Sequence, residues 1–496
     1  LGGGLGMKTL FPDQQSGLEL IRSAYRRHRR VVAKAPTGWG KTAVAAKIIR
    51  AARDKGNRVA FVVDSISLID QTVVRLGEEG IHEVGVIQAN HPLTDYAQPV
   101  QVISVQTLRS RGWKFLDFQL VIIDEVHCWH RIYGKWMAAW GAVPFLGLSA
   151  TPWKPGLGDH WEELVDCGSI GQMIELGRLS PYRIFAVAHP DLKGVKIRSG
   201  DYVTGELSER MSNGGLVSDL VGKYRQHHNA GKTLVFAVDR AHAAKIQAEY
   251  NGAGIPAGYI DANVPPEDRK VIADQFHRHE LEVVVSVGCL VKGVDWDVRC
   301  IQLARPTRSE SLFVQIIGRG LRTAKGKDHC LILDHSDTTI RLGLPEEIEE
   351  RFTDFVPGKI SDTAKREIEE PMSSMCASCS FIKPPRTPVC PQCEFKAQRQ
   401  TTVQHNVEAD LIEITKHQRK LNRTTTPDEK AEFYGGLKHY AASKGYRPGW
   451  AANQYREKFG VWPNAFKDTP PCAPNADVRG WIKHQAIKFR SRRNAA

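Results

Sequence analysis

The 496-residue sequence has no apolar run of about 18 or more residues, the length a helix needs to cross a bilayer, and no charged-then-apolar secretory leader. Neither a membrane partner nor export is therefore expected. The opening LGGGLG before Met7 reads as a cloning remnant and is left out of the fold reasoning. Cysteine is scarce, at ten residues, which excludes a disulfide scaffold. Six cysteines (Cys128, Cys167, Cys289, Cys300, Cys330 and Cys472) are scattered, as in a reduced, cytoplasmic protein. No thioredoxin-like βαβ pattern surrounds the C-x-x-C pairs, which argues against redox chemistry. No convincing P-D…[DE]-x-K constellation of the kind a nuclease uses stands outside the alternating apolar segments of the chain, and there is no internal repeat beyond a likeness between two halves. Acidic residues are outnumbered, 55 to 68, and the net charge of +13 favours a polyanionic partner.

What the chain has in quantity is short apolar runs alternating with helical stretches. RVAFVVD (58–64), VQVISV (100–105), LVIIDE (120–125) and FLGLSA (145–150) are nearly all apolar, as strands buried on both faces of a parallel sheet must be. TLVFAV (233–238), AGYIDA (257–262), LEVVVSV (281–287), CIQLAR (300–305) and CLILDH (330–335) repeat the pattern. Two α/β domains in series follow, with a boundary near 176–184, where Pro181 interrupts. LPEEIEERF (344–352) reads as an acidic helix.

VVAKAPTGWGKTAVAAKII (31–49) sets a glycine-broken turn between a β-branched run and an alanine-rich helix. Such a turn aims backbone N–H groups and a helix N-terminus at phosphates. Thr37, Gly38 and Gly40 build the loop, Lys41 reaches the β/γ-phosphates, and Thr42 serves Mg²⁺. Ala35 stands where the usual pattern has its first glycine. Some 80 residues on, VIIDEVH (121–127) ends a strand on two carboxylates. Asp124 suits Mg²⁺ and Glu125 suits the attacking water, so the pair completes what a Mg-ATP hydrolase needs.

APTGWGKT, DEVH, LSATP (148–152) and QIIGRGLR (315–322), in this order, resemble the motif series of superfamily 2 helicases. The likeness is to DEAD/DEAH-box family proteins related to the XPB and UvsW helicases and type I restriction motors, often of phage or prophage origin. It covers about residues 8 to 340. The resemblance implies two tandem RecA-like domains, 7–178 and 179–340, with ATP between them, in a bacterial or phage-infected cell. It places Gln14 of FPDQQ (11–15) on the adenine, although Asp13 replaces the family's usual aromatic. His127 would couple the carboxylates to the second domain, with Ser149 and Thr151 as relays. Gln315, Arg319 and Arg322 match Q-x-x-G-R-x-x-R, and two guanidiniums three residues apart on a helix can meet charge developing on the phosphoryl group. Gly293 and Asp295 would lie near the ribose. Gln106 and Thr107 of SVQTL, with Arg305 and Thr307 of RPT, would contact a nucleic-acid backbone, positioning it without reading sequence.

The remaining cysteines, Cys376, Cys379, Cys390 and Cys393, form C-x₂-C-x₁₀-C-x₂-C within 341–400. Two knuckles make a tetrahedral Cys₄ site, so a small structural zinc ribbon is expected, with unpaired thiols or disulfides as the alternative. Residues 401–496 carry 17 Lys and Arg against nine Asp and Glu, a basic, mainly helical module. There Trp450, Tyr455, Phe459 and Trp462 interleave with Arg456 and Lys458. These aromatics suit either a small core or a surface for nucleic acid or for replication or recombination proteins. The whole reads as an ATP-dependent DNA helicase or translocase acting on single-stranded, duplex or forked DNA. An RNA helicase and a non-motor loading or scaffold factor stand as alternatives.

Overall fold

The computed structural model describes residues 9–186 (except 89), 220–360 (except 228–230, 291–295 and 337) and 425–482 (except 448 and 476). Residue 485 and short backbone stretches at 197–198, 201–202, 217–218, 374–375, 382–383, 405–406 and 412–414 are also described.

The first domain is built on strands β1 (Arg30–Lys34), β2 (Val59–Val63), β3 (Val84–Ile87), β4 (Val100–Ser104), β5 (Leu120–Asp124), β6 (Phe145–Ser149) and β7 (Glu163–Asp166). All pair in parallel, in the order β3-β4-β2-β5-β6-β1-β7. Helices α1 (Pro12–Ala24), α2 (Lys41–Arg53), α3 (Ile69–Glu78), α4 (Val105–Arg111), α5 (Arg131–Ala139) and α6 (Ile170–Glu175) accompany it. Every residue of β2, β4 and β6 is buried, which is why their sequences are apolar without alternation.

The second sheet contains β8 (Tyr182–Ala186), β9 (Thr233–Phe236), β10 (Ala257–Ile260), β11 (Val283–Ser286), β12 (Cys300–Leu303), β13 (Cys330–Asp334) and β14 (Ile412–Ile414). Its order is β10-β11-β9-β12-β13-β8-β14, parallel except for β14. The helices here are α7 (Leu220–His227), α8 (Arg240–Gly252), α9 (Pro266–His277) and α10 (Glu310–Gly320), followed by α11 (Thr338–Leu342) and α12 (Pro345–Glu349). The antiparallel edge strand comes from the segment expected to be a separate basic module, which therefore contributes backbone to the second sheet.

One buried cluster runs from Leu18 and Ile49 beside the first sheet to Phe313 and Ile332 around the second. After α12 the chain returns to the first domain. Phe352 stacks on Trp153 at 4.7 Å, and Gly156 donates its N–H to Val356 O at 2.9 Å. Near the C-terminus, α13 (Pro427–Ser443) and α14 (Trp450–Phe459) form a helical hairpin around Phe433, Tyr434, Leu437, Tyr455 and Phe459. The tail aromatics thus divide: Tyr455 and Phe459 are core, whereas Trp450 and Trp462 are half-buried.

Candidate active site at the domain cleft

β1, β5 and β6 deliver three loops to the carboxyl edge of the first sheet, where ligands of open parallel sheets bind. Between β1 and α2 the chain turns through Gly38 (φ 79°) and Gly40 (φ 90°), both in the left-handed region that favours glycine. Between them, Trp39 is 1% exposed. A Cβ on Gly17 of α1 would approach its ring to 2.6 Å, so the indole fills a slot that only glycine leaves. Burying it contributes about 2–3 kcal/mol and pins the loop to the core. Lys41, the first residue of α2, folds back over its own loop and donates to Ala35 O at 3.4 Å.

β5 ends on Asp124, and Glu125 follows at φ 50°, a left-handed conformation that costs a non-glycine residue of order 1–3 kcal/mol. Such strain persists only where the surroundings enforce it. Burial, reinforced by the neighbouring Glu125 charge, pushes the Asp124 carboxyl up to about 6, against the opposing pull of Lys41 and Arg75. Two carboxylates set against these cations in a narrow cleft form a site whose electrostatics a divalent cation would relieve.

A hydrogen-bonded path leaves these carboxylates for the second domain. His127 Nδ1 lies 3.3 Å from Glu125 Oε2 and 2.8 Å from Ser149 Oγ. Its Nε2 lies 2.9 Å from Nε2 of Gln315, on α10, and the same amide nitrogen donates to Thr151 Oγ1 at 2.9 Å. Because the amide nitrogen has only donors to offer, His127 Nε2 accepts and Nδ1 carries the proton. Gln315, His127, Ser149 and Thr151 thus meet in one hydrogen-bonded chain across the cleft. α10 comes this close because residue 318 is glycine: a Cβ there would sit 2.7 Å from Thr37 Oγ1.

The cavity enclosed is about 100 Å³ and is lined by Lys41, Thr42, Asp124 and Glu125 from one side and by Gln315, Arg319 and Arg322 from the other. That volume is well below the roughly 300–1,000 Å³ of a pocket for a whole small molecule, so it suits the polyphosphate end of a nucleotide. Two further cations serve the site and escaped the sequence reading. Arg75 on α3 lines the cavity. Lys327 donates to Gly320 O, Arg322 O and Val298 O at 2.5, 2.6 and 2.7 Å, tying down the end of α10 beside Arg322. No motif signals it, because its partners are backbone carbonyls. The interdomain connection adds to this. Leu179 bridges to Arg322, Ser180 donates its N–H to Leu321 O at 2.6 Å, and a Cβ on Gly38 would meet Leu179 at 2.6 Å. One short segment therefore touches both the phosphate loop and the backbone of Arg322.

Other sequence-assigned residues lie elsewhere. Gln14 is outside the cavity lining; its amide accepts from Phe11 N at 2.9 Å and donates to Trp39 O at 2.5 Å, bracing the phosphate loop from behind. Asp13, in the place of the family's aromatic, pairs with Arg178, whose guanidinium lies 3.7 Å over Phe11. Gln106 donates to Asp64 O at 3.1 Å, and Thr107 hydrogen-bonds Ser104. Arg305 pairs with Asp201 at 3.1 Å, and Thr307 accepts from Ser309 N. Gly293 and Asp295 lie outside the described residues, as do Cys376, Cys379, Cys390 and Cys393. Among the described residues no group of three or more His, Cys, Asp or Glu side chains is placed to hold a metal, and no helix is long and apolar enough to cross a membrane.

Two parallel-sheet domains that close on one phosphate-binding loop, a carboxylate pair and an arginine pair define an ATP-hydrolysing enzyme of the RecA-like class. Residues 7–154 match the family described as "Type III restriction enzyme, res subunit", and residues 215–324 match the "Helicase conserved C-terminal domain". A 51.5 kDa protein of a Lactococcus phage is 26% identical over 396 residues, covering 78% of this chain and 83% of the phage protein. A Saccharomyces cerevisiae protein named as an ATP-dependent helicase, IRC3, is 32% identical over 254 residues, 47% of this chain and only 37% of that one. In fold, a fragment named as an HsdR subunit of a type I restriction enzyme from Vibrio vulnificus YJ016 is similar. Its TM-score is 0.53 at 22% identity, over 68% of this chain and 66% of that one. The chain belongs to the superfamily 2 helicases and is a nucleic-acid-dependent ATPase.

Proposed function

We propose that this helicase is a DNA motor, in which ATP hydrolysed between the domains drives movement along, or unwinding of, single-stranded, duplex or forked DNA during replication, recombination or repair. The observation that carries this reading is the Gln315 amide, which joins His127 to Thr151 across the cleft and so links the hydrolytic carboxylates to relative domain position. In the reaction the loop from Thr37 to Gly40 and Lys41 hold the phosphates, Glu125 takes a proton from the attacking water, and Arg319 and Arg322 neutralise charge on the transferred phosphoryl group. Thr42 and Asp124 would hold Mg²⁺, which supplies further charge neutralisation. DNA is preferred to RNA on the likeness to XPB, UvsW and restriction motors. Gln106 and Thr107 are assigned to its backbone, with Arg305 and Thr307, whereas Gln14 is assigned to the adenine of ATP and Gly293 and Asp295 to the ribose of ATP.

The division into 7–178, 179–340, 341–400 and 401–496 belongs to the same proposal. So does structural Zn²⁺ on Cys376, Cys379, Cys390 and Cys393; the first pair is bracketed by 374–375 and 382–383, whose backbones pair antiparallel. The C-terminal module is the candidate contact for replication or recombination proteins.

The test is steady-state ATPase against single-stranded, duplex and forked DNA and RNA, at two salt concentrations, with Lys41→Ala as the blank. Stimulation by DNA, weakened by salt and lost in the variant, supports the reading. Preferential stimulation by RNA replaces the substrate, and no stimulation at all leaves a non-motor loading factor.

A further inference from the structure

The C-terminal hairpin has a core on one side and an aromatic cluster at its turn. Tyr440 near the end of α13, Tyr446 in the connecting loop and Trp450 at the start of α14 gather their rings there. Tyr446 and Trp450 stack at 4.7 Å with 30° between their planes, and Tyr440 lies 5.8 Å from Trp450 and 6.2 Å from Tyr446. Trp450 backs onto the core, but Tyr446 is 46% exposed, the outermost member of the stack. A core residue would not be so placed. Exposed rings that already stack edge to core offer a rigid π-face at little entropic cost.

Along the chain, the charge between Glu432 and Glu457 has one sign. From Phe433 to Arg456 the sequence contains no Asp or Glu, yet it carries Lys438, Lys444, Arg447 and Arg456. Lys444 and Arg447, which flank Tyr446, are both exposed. Lys438 is turned inward, donating to Lys467 O and Thr469 O, so the charge available at the tip is that of Lys444 and Arg447. An acidic peptide would satisfy these two cations but would not use the ring face. A strand with unstacked bases uses both, since bases stack on aromatic side chains while cations follow the phosphates.

We propose that the tip of this hairpin is a single-stranded nucleic-acid platform, with one base stacked on Tyr446 and the flanking phosphates met by Lys444 and Arg447. It deepens the motor reading, on which it rests for its role, by adding a hold on the strand outside the two RecA-like domains. Such a platform tolerates any sequence, because every base has a π-face.

The test uses the full chain and a fluorescein-labelled oligothymidylate, followed by fluorescence anisotropy across a salt series. Tyr446→Ala is expected to weaken binding about tenfold, and Tyr446→Phe, which keeps the ring, to bind like the parent. Lys444→Ala with Arg447→Ala should reduce the slope of log affinity against log salt by about 1.4, the value for two single-strand phosphate contacts. Oligonucleotide-stimulated ATPase in Tyr446→Ala should reach the parental kcat at saturation, with only the half-saturating oligonucleotide concentration raised. Parental binding and an unchanged salt slope in these variants overturn the platform and leave the tip as a protein contact. Equal losses in Tyr446→Phe and Tyr446→Ala overturn the stacking. Failure of any nucleic acid to stimulate the parental ATPase instead sinks the motor reading, and anisotropy still decides the platform.

Discussion

Replacing Gln315 with alanine should uncouple ATP binding from ATP hydrolysis. The residue is 6% exposed, and its amide makes two interdomain hydrogen bonds, both 2.9 Å, to His127 Nε2 and Thr151 Oγ1. Losing each bond and leaving its acceptor unsatisfied costs about 1–2 kcal/mol, for a total of about 2–4 kcal/mol. That cost falls on the closed arrangement of the domains, because both bonds span the cleft. At 1.4 kcal/mol per decade, the closed population falls about 30-fold to several hundredfold, and kcat with it. The phosphate loop and Lys41 belong to the first domain alone, so KM for ATP should stay within about threefold. Nucleic-acid-stimulated ATPase, measured as kcat and KM separately, checks this. A kcat within about twofold of the parent, or a loss confined to KM, would refute the coupling.

Three further changes probe the same architecture. Lys327→Met removes three charge-assisted hydrogen bonds, two of them at the end of α10, and loosening Arg322 should lower kcat about tenfold while fluorescent-nucleotide affinity holds; parental kcat would contradict this. Gly318→Ala places a Cβ 2.7 Å from Thr37 Oγ1, so overpacking of about 1–3 kcal/mol should hold the cleft ajar and cut ATPase at least fivefold, with a parental rate counting against it. The third concerns pH. Burial pushes the Glu349 carboxyl up to about 7 from 4.5, against the Ile170 N–H it accepts at 2.8 Å and the Lys34 charge. Folding therefore favours its protonated form, and stability present below about pH 4.5 is lost as pH rises through 7. Glu349→Gln should raise the unfolding midpoint at pH 8, by up to about 3 kcal/mol of stability, and scarcely at pH 5. Equal gains at both pH values would refute the buried-carboxyl explanation.

The central strands and the ATP motifs were legible because their physics is local. A strand covered on both faces is apolar throughout, as in Val59–Val63, and a phosphate loop must combine glycine, lysine and threonine in one short stretch. Some outer strands were not. Glu163–Asp166 and Tyr182–Ala186 are only partly covered and carry charged or polar residues, so their sequences do not announce strands. Ile412–Ile414 joins the second sheet more than 220 residues after its partner β8, a pairing set by the tertiary fold. Lys327 and the connection through Leu179 position Arg322 by backbone contacts, which leave no side-chain pattern to read. Gln14 carries two readings at once: its motif points to the adenine, and the fold sets its amide against the phosphate loop at Trp39. The tail aromatics had two readings, and burial divides them into core, Tyr455 and Phe459, and half-buried, Trp450 and Trp462.

The most direct measurement is ATP-dependent displacement of streptavidin from biotinylated single-stranded DNA, with the parent chain beside Lys41→Ala and Arg322→Ala. A motor whose site is completed by both domains displaces streptavidin only with ATP and an intact pair, so both variants, one from each domain, should be inert while still binding DNA. Displacement by Arg322→Ala at the parental rate would contradict a site shared between the domains, and no displacement by the parent on any DNA that stimulates its ATPase would contradict movement along the strand.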